Sequence, residues 1–349
     1  MTKGKKKIFW SVGAVLLAVL SIWAVLSQAG NLSFHDLRMA LRHGDRRWLA
    51  AAVLSMMGYI VFEGEGILSI LRGVGYHRKH RQGFLYAAGD VYFSAITPSA
   101  SGGQPASALF MMRNGIPGAV VTATLLMNLV MYTLGIITVG IICMVTAPGL
   151  YFRFHLPARI LIVLGYLALL LLSVLFMLLL LRKNILERLG VLLLRIMKRI
   201  RLIRHPEKKI EKLRKKMDEY GECVAGMRDH KDALIQAYFW NLAQRISQIC
   251  VTVFMFLAMG GKITEAFPVW VIQSMVTIGS NTVPIPGGMG VTDYLMLDGF
   301  RSLLSNGDAV RLELLSRGLS FYVCVLISGI TSAAGLGLYH IQHREEKNL

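Results

Sequence analysis

The sequence predicts an all-α polytopic integral membrane protein with about six full spans plus two re-entrant helical hairpins in inverted repeats; eight plain spans are the alternative. Three observations carry that prediction. Apolar residues make up 54% of the 349-residue chain, and its mean hydropathy is +0.54. Residues Ile160 to Leu181 run 22 positions without a charge, where about 20 apolar residues suffice to cross a bilayer core. Two proline- and glycine-rich stretches then interrupt apolar sequence in opposite halves of the chain.

The first break reads Thr97-Pro98-Ser99-Ala100-Ser101-Gly102-Gly103-Gln104-Pro105, and the second Val283-Pro284-Ile285-Pro286-Gly287-Gly288-Met289-Gly290. Neither is expected to continue as a helix, because proline removes a backbone donor and glycine carries little helical bias. In hydrocarbon a broken backbone survives only inside protein or along a polar cavity. Paired breaks in two halves are the sequence pointer to a transporter-type binding site. A phosphate-binding loop is disfavoured, since no βαβ pattern flanks either break.

Taken in order, the spans are read at 8–26, 48–71, 116–142, 158–181, 233–258 and 311–338. Lys5-Lys6-Lys7 before Ile8–Leu26 resembles a signal peptide, with Ser27-Gln28-Ala29 as a cleavage site. The 19-residue apolar run is longer than the usual h-region of about 7–15, which favours an uncleaved first span. With the N-terminus inside, residues 72–115, 182–232 and the C-terminus fall in the cytosol, and 27–47, 143–157 and 259–310 fall outside. Of the 38 Lys+Arg, 27 then lie on the cytosolic side and 7 outside, with Arg159, Arg245, Arg311 and Arg317 within spans, as the positive-inside rule requires. Arg38, Arg42, Arg46 and Arg47 oppose the trend, and an interfacial helix over 27–47 accommodates them.

Segments Phe84–Met112 and Phe267–Phe300 each hold a break near the middle and are read as hairpins entering from opposite faces. The first repeat then covers 48–142 and the second, inverted, covers 233–338, within one transmembrane domain of residues 1–349. Residues 182–232 form a cytosolic basic amphipathic insertion. Its first part sets Leu189, Leu192, Leu193, Ile196, Ile200 and Ile203 against Arg188, Arg195, Lys198, Arg199 and Arg201, a pattern suited to the membrane surface. Its second part repeats Ile210, Leu213, Met217, Tyr220, Val224 and Met227 at 3-4 spacing, a short seam expected to pack on the bundle rather than to dimerise.

Charges inside spans are expensive and are functional hypotheses by default. Asn241, Gln244, Arg245, Gln248 and Thr252 share one face of span 233–258. Ser316, Arg317, Ser320 and Ser328 mark span 311–338, Thr124, Asn128 and Tyr132 span 116–142, and Tyr59 and Glu63 span 48–71. Arg245 and Arg317 are the expected anion partners, since a guanidinium fork fits phosphate bidentately. An i,i+4 pair of Arg317 with Glu313 is the structural alternative. With these arginines, Asn241, Gln244, Gln248, Asn128 and Glu63 are expected to bind a lipid head group; the structural alternatives pair Glu63 with an arginine, solvate Glu65 near the interface and make Asp90 and Asp293 caps of half-helices.

The composition excludes other classes. The +18 formal charge reads as topology and anionic-lipid contact, so nucleic acid is not expected. Cys143, Cys223, Cys250 and Cys324 show no paired spacing, so neither metal nor disulfide is expected, and no cofactor. His77 and His80 belong to a basic turn. No nucleophile–base pair is found, so enzyme chemistry is not expected.

The two breaks, the second continuing Val291-Thr292-Asp293, together with Arg317 resemble the flippase-like transmembrane family. This is the membrane half of lysylphosphatidylglycerol synthase, the multiple peptide resistance factor, and the resemblance covers nearly the whole chain. It implies translocation of a phospholipid, phosphatidylglycerol or its aminoacylated form, across the cytoplasmic membrane, with resistance to cationic peptides as a result. It further implies that Pro284, Pro286, Gly287, Gly288, Gly290 and Asp293 line the head-group path and that Arg317 meets the anion. Many members carry an acidic residue and an arginine after the first break, where this chain has Gln104 and Ala106-Ser107. Asn128 stands where an arginine is common, which leaves the head group open. The fused enzymes add a soluble lysyl-tRNA-dependent transferase domain, which 349 residues do not accommodate, so a lysyltransferase label would name the family alone. Expected partners are membrane phospholipids and a separately encoded lipid-modifying enzyme, with the oligomeric state open. A solute or ion transporter on the same scaffold, or a non-transporting partner of a synthase, are the other readings.

Overall fold

The computed structural model describes residues 44–97, 101–199, 206–281 and 290–345, and it is helical throughout. The first expected span (8–26), most of the 27–47 segment and the break residues Pro98, Pro284, Pro286, Gly287 and Gly288 lie outside the described residues. The helices are α1 (Arg46–Gly73), α2 (His80–Ile96), α3 (Gly103–Arg113), α4 (Gly118–Thr146), α5 (Pro148–Phe152) and α6 (Leu156–Leu181). The insertion contributes α7 (Lys183–Arg199) and α8 (Pro206–Asp229). There follow α9 (Lys231–Ala258), α10 (Ala266–Ser280), α11 (Val291–Phe300), α12 (Asn306–Gly318), a π turn (Leu319–Val323) and α13 (Cys324–Glu345). Five helical stretches are long and apolar enough to cross a membrane: α1, α4, α6, α9 and Gly307–Gly335. The chain is a polytopic membrane protein.

The helix ends follow local chemistry. Asp45 caps α1 by accepting from the Arg47 N–H at 2.9 Å, and the Ser305 hydroxyl accepts from the Asp308 N–H at 3.2 Å to start α12. Gly290 adopts φ +81° before α11, a conformation that costs glycine little. Asp293 then accepts from the Gly290 N–H at 3.1 Å, as the capping expectation for that carboxylate required.

Between the long spans, α2 and α3 pack on each other, as do α10 and α11. At 1.5 Å per residue these helices reach roughly 15–26 Å, short of the roughly 30 Å hydrocarbon core. The first interruption is shorter than the sequence suggested. Gly103, Gln104 and Pro105 open α3 instead of belonging to the break. Proline is tolerated there because first-turn amides have no intrahelical acceptor.

Helix α1 packs along α9 at the centre of the molecule. Small residues let the backbones approach: the Ser55 hydroxyl donates to the Ser247 carbonyl at 2.8 Å, and Ser247 donates back to Ser55 at 2.6 Å. Around this pair a large core gathers Ile60, Ile249, Phe256, Ile272, Met275, Leu295 and Phe300. A second core forms where Met217, Tyr220, Val224 and Met227 of α8 meet Ala119, Ala123 and Met127 of α4, with Ile70 and Ala237 behind them. The seam therefore packs on the bundle. Glu65, expected to be solvated, is buried and paired with Arg72 at 3.2 Å and with His80. A lone buried carboxylate would be costly, and two basic neighbours at the mouth of α2 remove that cost.

Candidate functional site

The polar stripes predicted on separate spans converge. Helix α9 presents Gln244, Arg245, Gln248 and Thr252, one face at helical spacing. Tyr59 and Glu63 of α1 oppose them, Asn128 and Tyr132 of α4 stand beside, and Asp90, Ser94 and Gln104 come from the first helix pair. Gln273, Thr277 and Ser280 of α10 and Arg317 of α12 close the ring. These side chains line one cavity of about 690 Å³. Pockets for small ligands span about 300–1,000 Å³, so the space suits a head group.

Part of the cavity wall is apolar. Leu169, Leu172 and Phe176 of α6, with Phe321 and Val325 from the π turn and α13, are among its apolar lining residues. Although both line the cavity, α6 and the 319–345 stretch are not packed against one another beyond isolated contacts. Among the described residues, apolar side chains of these two stretches border the polar chamber.

Arg245 is the distinctive group. It is 2% exposed, with the Tyr132 ring centroid 3.8 Å from its guanidinium carbon and that of Tyr59 at 5.5 Å. Such stacking favours a desolvated cation by about 2 kcal/mol. Nη1 donates to the Gln248 side-chain oxygen at 2.6 Å, while Nε and Nη2 have no hydrogen-bond partner among the described residues. No carboxylate lies within ion-pair distance of it there; Glu63 instead accepts from the Gln244 amide at 3.0 Å, so the alternative that paired Glu63 with an arginine does not hold among the described residues. The side-chain oxygens of Gln104, Gln244 and Gln273 are likewise buried without partners. Orphaned buried polar atoms are few in native proteins, and here several belong to residues that line one cavity.

Arg317 differs. Its Nη2 lies 2.5 Å from Asp293 and its Nη1 3.4 Å from Glu313. Two carboxylates meet one guanidinium, so the i,i+4 alternative holds and Arg317 ties α12 to the start of α11. Asp90 caps no half-helix: it accepts from Gln104 at 2.6 Å and Ser94 at 3.1 Å, closing α2 onto α3. Gly103 makes that closure feasible, since a Cβ there would sit 2.0 Å from the Asp90 and Ser94 oxygens.

Of the expected site residues, Glu63, Gln104, Asn128, Gln244, Arg245, Gln248 and Arg317 line the cavity; Asn241 and Asp293 do not. Asn241 shares the angular face of Arg245 but lies a turn away, where the bundle closes over Gly66. Its amide donates to Asn128 at 3.0 Å and to the Ala237 carbonyl at 2.9 Å. Sequence reasoning missed Gln273, Thr277 and Ser280, whose spacing of four and three was visible in α10. The α6 wall left no signal, because lipid-facing and cavity-facing leucines look alike. Among the described residues no cluster of His, Cys, Asp and Glu could hold a metal.

The family described as the lysylphosphatidylglycerol synthase TM region matches residues 10–328. A curated relative, the UPF0104 membrane protein PH1989 of Pyrococcus horikoshii, is 22% identical over 335 residues, covering 93% of this chain and 96% of its own. No solved structure matches. The match takes in the five crossing stretches almost entirely and every cavity-lining residue, and it concerns the transmembrane region alone: the chain belongs to the lysylphosphatidylglycerol synthase transmembrane-region family.

Proposed function

We propose that this protein translocates a phospholipid of the phosphatidylglycerol or aminoacylated phosphatidylglycerol type across the cytoplasmic membrane. The head group occupies the cavity while its tails remain in the bilayer through the gap between α6 and the 319–345 stretch. The observation that carries this reading is Arg245, a buried guanidinium in the wall of a polar cavity whose Nε and Nη2 have no hydrogen-bond partner among the described residues. A phosphodiester supplies the two acceptors that such a fork lacks. Gln104, Gln244 and Gln273 offer acceptors to glycerol hydroxyls or to an amine. Arg317, already paired, holds the second helix pair in place.

In this reading α2–α3 and α10–α11 are re-entrant hairpins of two inverted repeats, 48–142 and 233–338. Their correspondence supports it: α1 pairs with α2 as α9 pairs with α10, and α4 meets α9 and α10 as the helical stretch after α12 meets α1 and α2. Cationic peptide resistance follows where the lipid delivered outward is aminoacylated.

The test is transfer of labelled phosphatidylglycerol, lysyl-phosphatidylglycerol and phosphatidylethanolamine across proteoliposomes, with wild type and Arg245→Gln. Movement of one or more lipids that the variant abolishes supports the reading. Movement of none in the wild type, or full movement in the variant, overturns it for these lipids and returns a soluble anion or a partner role to first place.

A further inference from the structure

Helix α7 presents two faces. Leu186 and Gly190 turn toward α8, where Gly190 sits against Leu213. Lys183 pairs with Asp218 at 2.9 Å and Glu187 with Arg214 at 3.0 Å along the same side. On the other face Ile185, Leu189, Leu192 and Ile196, at spacing 4-3-4, are 40%, 45%, 53% and 46% exposed. On a helical wheel they fall within a sector of roughly 60°, with Arg188 and Arg195 along one edge. Both arginines are exposed.

Three features identify what covers this stripe. Helix α7 begins two residues after α6 ends at Leu181, so it starts at the boundary of the bilayer that α6 enters. Its sequence carries five Lys+Arg against one acidic residue, whereas α8 carries seven against six. The positive charge is therefore concentrated on the helix whose apolar face is bare. Arginines beside an apolar stripe reach up to phosphates while their stems stay with the chains. A protein partner would have to compete with the membrane for a face that already lies beside it.

We propose that α7 is a docking element for the anionic surface of the same bilayer, with Ile185, Leu189, Leu192 and Ile196 immersed and Arg188 and Arg195 on lipid phosphates. Docking acts on the cavity mouth through α6. The Tyr220 hydroxyl donates to the Leu179 and Leu180 carbonyls at 3.2 and 3.3 Å, so the α7–α8 unit holds the end of the helix that carries Leu172 and Phe176. The docking itself is independent of the proposed function; only its effect on transport rests on that reading.

The test places an environment-sensitive fluorophore at Leu192→Cys in the full chain, with Cys223 and Cys250 replaced by serine. The chain is reconstituted in vesicles of phosphatidylcholine alone or with phosphatidylglycerol. The expected result is blue-shifted emission, quenched by chain-brominated lipid, in the anionic vesicles and reversed by high salt. In the Arg188→Gln/Arg195→Gln double variant the docked-to-undocked ratio falls roughly 30-fold, two charges at about 1 kcal/mol each. A water-exposed probe in both vesicles overturns the proposal. Equal immersion in both, or immersion unchanged in the double variant, overturns its dependence on anionic lipid. None of these readings uses lipid transport, so failure of the translocase assay leaves them intact.

Discussion

Replacing Arg245 by glutamine separates a binding role from a structural one, because the two roles predict opposite balances of stability and affinity. In the unliganded protein the change removes two buried donors without partners, each costing about 1–3 kcal/mol. It also removes the Tyr132 stacking at 3.8 Å, worth about 2 kcal/mol, and the Gln248 bond at 2.6 Å, worth about 1.5–3 kcal/mol. These terms nearly cancel, so the unliganded stability stays within about 2 kcal/mol of wild type. Binding behaves differently. Two charge-assisted bonds to a phosphodiester amount to about 3–6 kcal/mol, and each 1.4 kcal/mol is about tenfold, so affinity falls by at least about 100-fold. Thermal unfolding in detergent, titrated with phosphatidylglycerol, reads both quantities at once. The expected outcome is an apparent Tm near wild type without lipid and a lost lipid-induced rise. Arg245→Lys should keep part of the rise, since the charge remains and the fork is gone. A loss of about 3–5 kcal/mol without lipid, the cost of breaking a buried charge network, together with an intact lipid response, would refute the reasoning.

Gly103→Ala should destabilise by about 1–3 kcal/mol through overpacking, since its Cβ would also meet the Asp90 carbonyl at 2.6 Å; unchanged thermal unfolding would show that α2 and α3 can separate freely. Asp293→Asn should cost at most about 1 kcal/mol, the pair being partly exposed, yet amide exchange across Val291–Phe300 should quicken while α9 stays protected. Burial raises the Cys223 thiol to about 11, so its maleimide labelling should be slow at pH 7 and rise about tenfold per pH unit. With the folded value above the unfolded one, that thiol's contribution to docking of α8 is complete below about pH 8.5 and lost as pH climbs through about 11. Labelling at pH 7 as fast as a free thiol would contradict its burial.

The spans were legible because hydrocarbon imposes a length and a composition, and the ends of α4, α6 and α9 fall within a few residues of the runs read from sequence. The polar face of α9 was legible for a similar reason: Gln244, Arg245 and Gln248 are intelligible on a membrane helix only if they face inward. What the chain did not disclose is which charges satisfy one another. Arg317 and Arg245 both sit on polar stripes of membrane spans, and sequence offered Glu313 as a partner for Arg317 but not Asp293. Only the fold brings Asp293 within 2.5 Å of Arg317 and leaves Arg245 between two tyrosine rings. Asn241 shows the complementary limit, since a helical wheel gives direction but not the depth at which neighbouring helices close. Glu65 escaped in part for a related reason: Arg72, two turns on in the same helix, was legible as a partner, but His80 comes from the start of α2 and meets it only in the fold.

Helix α6 is sparsely held, with 17% of its most apolar window buried against protein. Much of its remaining surface is exposed leucine, isoleucine and valine, the composition that acyl chains solvate, and part of the helix borders the chamber. A helix supported in that way follows the thickness of its surroundings, tilting more in a thin bilayer and standing straighter in a thick one. Because Leu172 and Phe176 travel with it, in the proposed translocase, chain length in the surrounding lipid would control how wide the cavity stands at this helix. Micelles, which have no fixed thickness, remove that control.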